Sequence, residues 1–323
     1  MAGTLGVLFS PVILFFILGA LAAFARSDLT IPEAVGKGIS LYLMAAIGLK
    51  GGVEVATIGF TLEMVLAGLA GIALSFVLPL PAFFLLTRLG KLDKVNAGAV
   101  AAHYGSVSVV TFVTGVEVLT AGGLPPAGYM VAVLALMETP AIIMGLVLAR
   151  GKAESAGGKH GQSELLRETL LNGSVVLLMG SFIIGILIGR DGFVQIAPVF
   201  EAGFRGMLCL FLLDLGLIAV RRLREARSLT LPLAGLAIFI PLINGTIGAV
   251  VGTLIGLDQG SASALAILAA SASYIAVPAA MRLALPQADP GLYLAMSLAV
   301  TFPFNILIGI PLYSALAQGL SGL

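Results

Sequence analysis

"AAHYGSVSVVTF", residues 101–112, sets a histidine, a tyrosine and two serines inside a long apolar run. Side chains at i and i+2 do not share a helix face. The pair Ser106 and Ser108 therefore predicts a short extended break that divides one helix into two halves. "ASAS" at 270–273 repeats the pattern late in the chain, with Ser271 and Ser273 matching the first pair. Other matches keep the same order: "IGL" at 47–49 with "LGL" at 215–217, and "METP" at 137–140 with "VTFP" at 300–303. The offset is roughly 163–168 residues, the signature of an internal repeat.

The surroundings of these breaks decide the solvent. Of 323 residues, 59% are hydrophobic and 10% charged, none is tryptophan, and the mean hydropathy is +1.12. Soluble domains are about 45–50% apolar and 25% charged. Apolar runs recur near the length of about 20 residues that spans a bilayer as a helix. The chain reads as an all-α polytopic membrane protein of about ten transmembrane helices, over 7–25, 34–49, 62–87, 95–120, 127–149, 172–190, 203–219, 230–256, 260–284 and 291–317. Its 41 glycines suit close helix packing in lipid. The N-terminal run lacks the basic region of a cleavable signal and reads as a retained first span. Cys209 is the only cysteine, so no intrachain disulfide can form, and a net charge of +1 gives no footprint for nucleic acid. Two histidines and one cysteine make a transition-metal site a poor expectation.

"RGKAESAGGKHGQSELLRE", 150–168, is the one long polar stretch and falls near mid-chain. It divides the chain into a first five-helix repeat (1–149), a linker (150–170) and a second five-helix repeat (171–323). An odd number of spans per half makes the second enter from the opposite face, an inverted repeat of the kind common in secondary transporters, with helices four and nine broken. Positive residues accumulate in cytoplasmic loops. Arg26, Arg88, Lys91, Lys94, Arg150, Lys152, Lys159, Arg167, Arg221, Arg222, Arg224 and Arg227 all follow odd-numbered spans. The expected topology is an inner-membrane protein with a cytoplasmic linker and both termini outside.

In an inverted repeat the two breaks meet near the bilayer midplane, where half-helix N-termini offer free N–H groups and positive dipole ends. Gly105, Ser106, Val107 and Ser108 with Ser271, Ala272 and Ser273 form the candidate substrate cradle, suited to a small planar oxyanion. The competing reading has the serines bonding to their own helices or gluing neighbours together. His103 and Tyr104 have no counterparts in the second half and read as lining or packing residues.

Charge inside a span is costly and marks function by default. Glu138 precedes Pro140, which frees a backbone carbonyl, so carboxylate, carbonyl and hydroxyl oxygens gather there, a hard-oxygen set for Na⁺ or a proton. A helix-tethering hydrogen bond is the other reading. The matching "VTFPFNIL" supplies Thr301 and Asn305. With Thr111 and Asp214 these complete the candidate cation ligands, and Na⁺ is the only metal expected. Asp214 and Asn244 read equally as structural polar contacts. Lys50 and Glu54, at i and i+4, can pair at a helix end.

"IGLKGG" at 47–52, "AAHYGSVSVVTF", "LFLLDLGLIAVRRL" at 210–223 and "TFPFNILIGIPLY" at 301–313 together resemble the sodium-dependent bicarbonate transporter family, nearly end to end. The resemblance implies a core domain moving against a scaffold, a homotrimer embedded in membrane lipid, and Na⁺-coupled bicarbonate uptake, with the anion at Ser106, Ser108, Ser271 and Ser273. It also implies a PII-type regulatory protein at the cytoplasmic face. No organic cofactor is expected, only Na⁺ as coupling ion. The alternatives are a Na⁺- or H⁺-coupled carrier of another small organic or inorganic anion and, more remotely, a membrane-embedded enzyme. The enzyme reading lacks an acid to orient His103 beside the serines, so no catalytic residue is assigned.

Overall fold

With no water to satisfy backbone groups in hydrocarbon, a chain this apolar must close its hydrogen bonds within helices. A computed structural model describes residues 10–154, 173–226 and 228–321, and its regular elements there are all helical. They are α1 (Pro11–Phe24), α2 (Glu33–Ile58), α3 (Leu62–Val77), α4 (Pro79–Arg88), α5 (Lys94–Gly105), α6 (Val109–Ala121), α7 (Met130–Glu154), α8 (Gly173–Val194), α9 (Phe204–Glu225, with a short π-helix, Pro198–Ala202, leading into it), α10 (Leu231–Leu254), α11 (Gln259–Ala270), α12 (Ala276–Ala284) and α13 (Pro290–Ser321). Eight stretches are long and apolar enough to cross a membrane, counting α3 with α4 and α5 with α6 as one each, while α1 and α11 are shorter apolar helices. The chain is a multi-pass membrane protein. Residues 155–170 of the expected linker lie outside the described residues.

Glycines set the closest helix pairs. Gly48 and Gly52 of α2 lie on Leu178, Ser181 and Phe182 of α8, and Gly185 of α8 lies on Leu49, so these two helices run parallel. In the same way Gly19 of α1 meets Leu213 of α9, and Gly216 of α9 meets Phe16 and Ala20. A second parallel pair results. α2 was expected to stop at residue 49, yet it continues to Ile58. Gly51 and Gly52 do not end it, because their missing side chains admit neighbours: a Cβ on Gly51 would stand 2.7 Å from the Gly128 carbonyl oxygen.

The broken span lies at the centre. In its apolar window over Lys94–Ala121, 89% of residues are buried, against 22% for Val175–Val194 of α8. Both half-helices that lead into a break are capped by aspartate. Asp93 accepts from the Asn96 N–H at 3.0 Å, and Asp258 from the Ser261 N–H at 3.0 Å, closing donors that a helix start leaves free. Gly98 of α5 and Gly145 of α7 face one another, and a Cβ on Gly145 would lie 2.8 Å from the Gly98 carbonyl. α7 is thereby drawn against the first break.

Candidate substrate and cation site at the helix crossing

α5 ends at Gly105, and Ser106 leaves it extended at φ −86°, ψ 177°; α11 ends at Ala270, and Ser271 leaves it at φ −75°, ψ 161°. Each break bonds to the other. The Ser108 N–H donates to Ser271 Oγ at 2.9 Å, and the Ser273 N–H donates to the His103 carbonyl at 2.9 Å. Backbone groups released by unwinding are thus satisfied without water, the condition for irregular chain at membrane depth.

Two asparagines close the C-terminal ends of the leading half-helices. Asn244 Nδ2 donates to the Tyr104 carbonyl at 2.9 Å, and Asn305 Nδ2 to the Ala270 carbonyl at 2.8 Å. Carbonyl ends carry the negative pole of a helix. With both ends capped, the trailing half-helices α6 and α12 present their positive starts. Ser108 Oγ caps α6 by accepting from the Thr111 N–H at 3.2 Å, and Ser273 Oγ takes the Val277 N–H at 3.4 Å. The first two N–H groups of α6 keep no helical partner.

These starts line a small cavity of about 10 Å³ with Met44, Val107, Ser108, Val109, Glu138, Ser273, Tyr274, Ile275 and Ala276 around it, room for about one water molecule. Glu138 is buried. The ion pairs among the described residues, Arg205 with Glu117 and Arg222 with Glu225, leave it out. A lone carboxylate and two positive helix starts therefore face one small space.

Pro140 explains how Glu138 comes to be there. Ser75 Oγ of α3 donates to the Met137 carbonyl at 2.6 Å and accepts the Ala141 N–H at 3.1 Å, so a hydroxyl stands inside a turn of α7. An inserted side chain of this kind opens a helix beside a proline. Ser106 Oγ then donates to the Glu138 carbonyl at 3.2 Å, tying the opened turn to the first break.

The expected residues divide among several roles. Val107, Ser108, Ser273 and Glu138 line the cavity, and Ser106 and Ser271 brace it. Ala272 is buried between the second-break serines. Gly105 is required by packing, since a Cβ there would stand 3.0 Å from the Ala141 Cβ. Thr111 supplies a capped N–H, and Asn305 caps α11 while accepting from Tyr313 Oη at 3.2 Å. Thr301 Oγ1 donates at 2.5 Å to the Ala237 carbonyl, four residues before Pro241, and takes the Tyr104 hydroxyl at 2.7 Å. It fills the bonding gap that Pro241 leaves. Asp214 lies elsewhere, on α9 against Gly36 of α2. Lys50 stands over the Phe204 ring, 5.2 Å from its centroid, and the Glu54 carboxylate lies at Gly128.

Sequence reading missed Ser75, Met44 and Tyr274. It also weighed His103 without its main chain, which holds the second break. The His103 ring stacks on Tyr293 with centroids 4.5 Å apart, and its Nδ1 lies 2.7 Å from the Ala99 carbonyl. That carbonyl can only accept, so Nδ1 carries the proton and the buried Nε2 is left without a partner.

Residues 11–318 match the profile of the Na⁺-dependent bicarbonate transporter superfamily. The chain belongs to that superfamily. No curated protein matches it. Membership covers nearly the whole described chain and sets the protein in a transporter superfamily.

Proposed function

We propose that this protein imports bicarbonate in symport with Na⁺ across the inner membrane by alternating access, with the anion held between the starts of α6 and α12 and the cation at Glu138. The observation that carries the reading is the cavity those three elements share. An anion gains from two helix starts and from free N–H donors, but it also meets the Glu138 carboxylate. Na⁺ between the two negative groups turns that repulsion into attraction. Each ligand thus raises the affinity for the other, by the same factor in both directions. Neutral oxygens of Ser106, Ser108, Thr111, Thr301, Asn305 and the α7 main chain are the further candidate ligands, and Asp214 acts through the scaffold.

Two inverted five-helix repeats (1–149 and 171–323), ten spans in all, give the crossing its symmetry. Support comes from the two parallel pairs: α1 with α9 and α8 with α2 exchange identities when the halves are exchanged. In this reading α1, α2, α8 and α9 form the scaffold, and the crossing with α7 and α13 forms the moving core. The cavity is smaller than bicarbonate, so the core must shift from α2, which contributes Met44, for the anion to enter. Assembly as a homotrimer, a PII-type regulator and a cytoplasmic linker belong to the same reading and rest on the family and on loop charge.

Uptake of radiolabelled bicarbonate into proteoliposomes, with and without an inward Na⁺ gradient, tests the function. Gradient-driven uptake that Ser106→Ala with Ser273→Ala abolishes, in protein that still folds, is the expected result. Absence of uptake in vesicles holding folded protein overturns the substrate and returns the search to other small anions. Cysteines introduced at 2 and 156 should label from opposite sides of the membrane.

A further inference from the structure

Away from the crossing, an open cleft of about 450 Å³ lies where α2 and α8 end together. α8 breaks its helical path at Gly189, with φ 56° and ψ −162°, a left-handed conformation that glycine adopts without a side-chain clash. The residues after it line one cleft with the last turns of α2. Lys50 and Glu54 line one wall of the resulting cleft, Arg190 and Glu201 the other, with Phe193 and Val194 between. None of these four charged groups joins an ion pair among the described residues.

The depth of the cleft points to its occupant. Both α2 and α8 are long enough to span a membrane, and the cleft uses the last turns of each, so it opens at the headgroup level of one leaflet. Apolar side chains flank it: Ile58 is 63% exposed, Val194 65% and, seven residues earlier on α8, Leu187 78%. Such residues belong against acyl chains. The charges above them are two of each sign, which excludes a purely anionic headgroup as the best fit because two carboxylates would oppose it. A quaternary ammonium is a poor match too, since it has no N–H to give a carboxylate.

We infer that this cleft binds the phosphoethanolamine headgroup of a zwitterionic phospholipid, its phosphate at Lys50 and Arg190 and its ammonium at Glu201 and Glu54. Lys50 is already oriented by the Phe204 ring. Arg190 and Glu201 are exposed and free to close on a headgroup. The inference is independent of what crosses the membrane at the helix crossing. It gives the scaffold a lipid wedged between the ends of two helices.

Native mass spectrometry on the full chain, exchanged into micelles with equal amounts of phosphatidylethanolamine, phosphatidylcholine and phosphatidylglycerol, tests it. The expected result is preferential retention of phosphatidylethanolamine. Arg190→Ala should lower that retention about fivefold, the effect of removing one interfacial cation, and Glu201→Gln should erase the preference over phosphatidylglycerol. Both positions are on the surface, so folding should survive. Equal retention of the three lipids, or a preference unchanged in both variants, overturns the proposal. Displacement of the lipid by free phosphoethanolamine at equal concentration would overturn the lipid as source.

Discussion

Ser271 and Ser108 stand 163 residues apart in the chain and meet through one hydrogen bond, Ser271 Oγ accepting the Ser108 N–H at 2.9 Å. A side chain from one half thus completes the main chain of the other. The same hydroxyl donates to the Leu268 carbonyl at 2.8 Å, so its lone pair is aimed across the crossing and its proton is spent at home.

Ser271→Ala leaves the Ser108 N–H buried without a partner, at a cost of about 1–3 kcal/mol. Uptake should fall at least tenfold while the protein still extracts as a monodisperse species. Thermal unfolding followed beside uptake checks this, and wild-type transport in the variant would remove the bond from the working site.

Glu138→Gln keeps the shape of the side chain and removes its charge. The sodium concentration for half-maximal uptake should rise by an order of magnitude or more, and uptake should lose its dependence on the Na⁺ gradient. A sodium titration superimposable on the wild type would clear this residue of cation binding.

Ser75→Ala removes the hydroxyl from the turn at Pro140. Either the Met137 carbonyl and Ala141 N–H stay unpaired or α7 closes on itself and Glu138 rotates from the cavity. The expected signature is a weaker sodium dependence, with unfolding shifted by only about 1 kcal/mol. A variant that loses stability and keeps its sodium response would make Ser75 a packing residue alone.

Gly145→Ala would place a methyl 2.5 Å from the Ala102 Cβ. Overpacking of this kind costs about 1–3 kcal/mol. α7 should move from the first break and uptake should be lost, whereas Gly235→Ala, with open space around it, should behave as wild type in the same assay.

Asp93, just ahead of α5, is the pH-sensitive cap. The Asn96 N–H, with the Asn96 side chain at 2.6 Å, holds its carboxyl below the usual carboxylate range. A carboxyl depressed in the folded state stabilises it above the unfolded value of about 3.9 and loses that contribution as pH falls through the folded value. Wild type should therefore melt above Asp93→Asn at neutral pH, and the gap should close as the medium is taken below about pH 4. The difference will be small because the group is mostly solvated.

Much of the arrangement was legible because its determinants are local. A serine pair at i and i+2 announces a break within ten residues of sequence, and its recurrence identifies the partner. Glu138 stood out because charge in an apolar run needs a reason. Ser75 carried no such signal: one hydroxyl in an apolar helix is unremarkable, and its target, the turn at Pro140, is 62 residues away by the Met137 carbonyl. The bond of Thr301 was silent in the same way. It sits beside Pro303, and nothing in its neighbourhood announces that its hydroxyl answers Pro241 on another helix. The pair Gly51 and Gly52 read as a helix end, whereas the neighbours that need their bare backbone carry α2 two turns further.

The exchange of bonds at the crossing also bears on biogenesis. The first half synthesised alone would carry a Ser108 N–H and a His103 carbonyl with no protein partner, and the second half would lack the carbonyl for its Ser273 N–H. Neither half is a finished object in hydrocarbon. Expressed as two separate polypeptides they should each be unstable and rescue one another when produced together, so the fold behaves as an obligate association that happens to be written on a single chain.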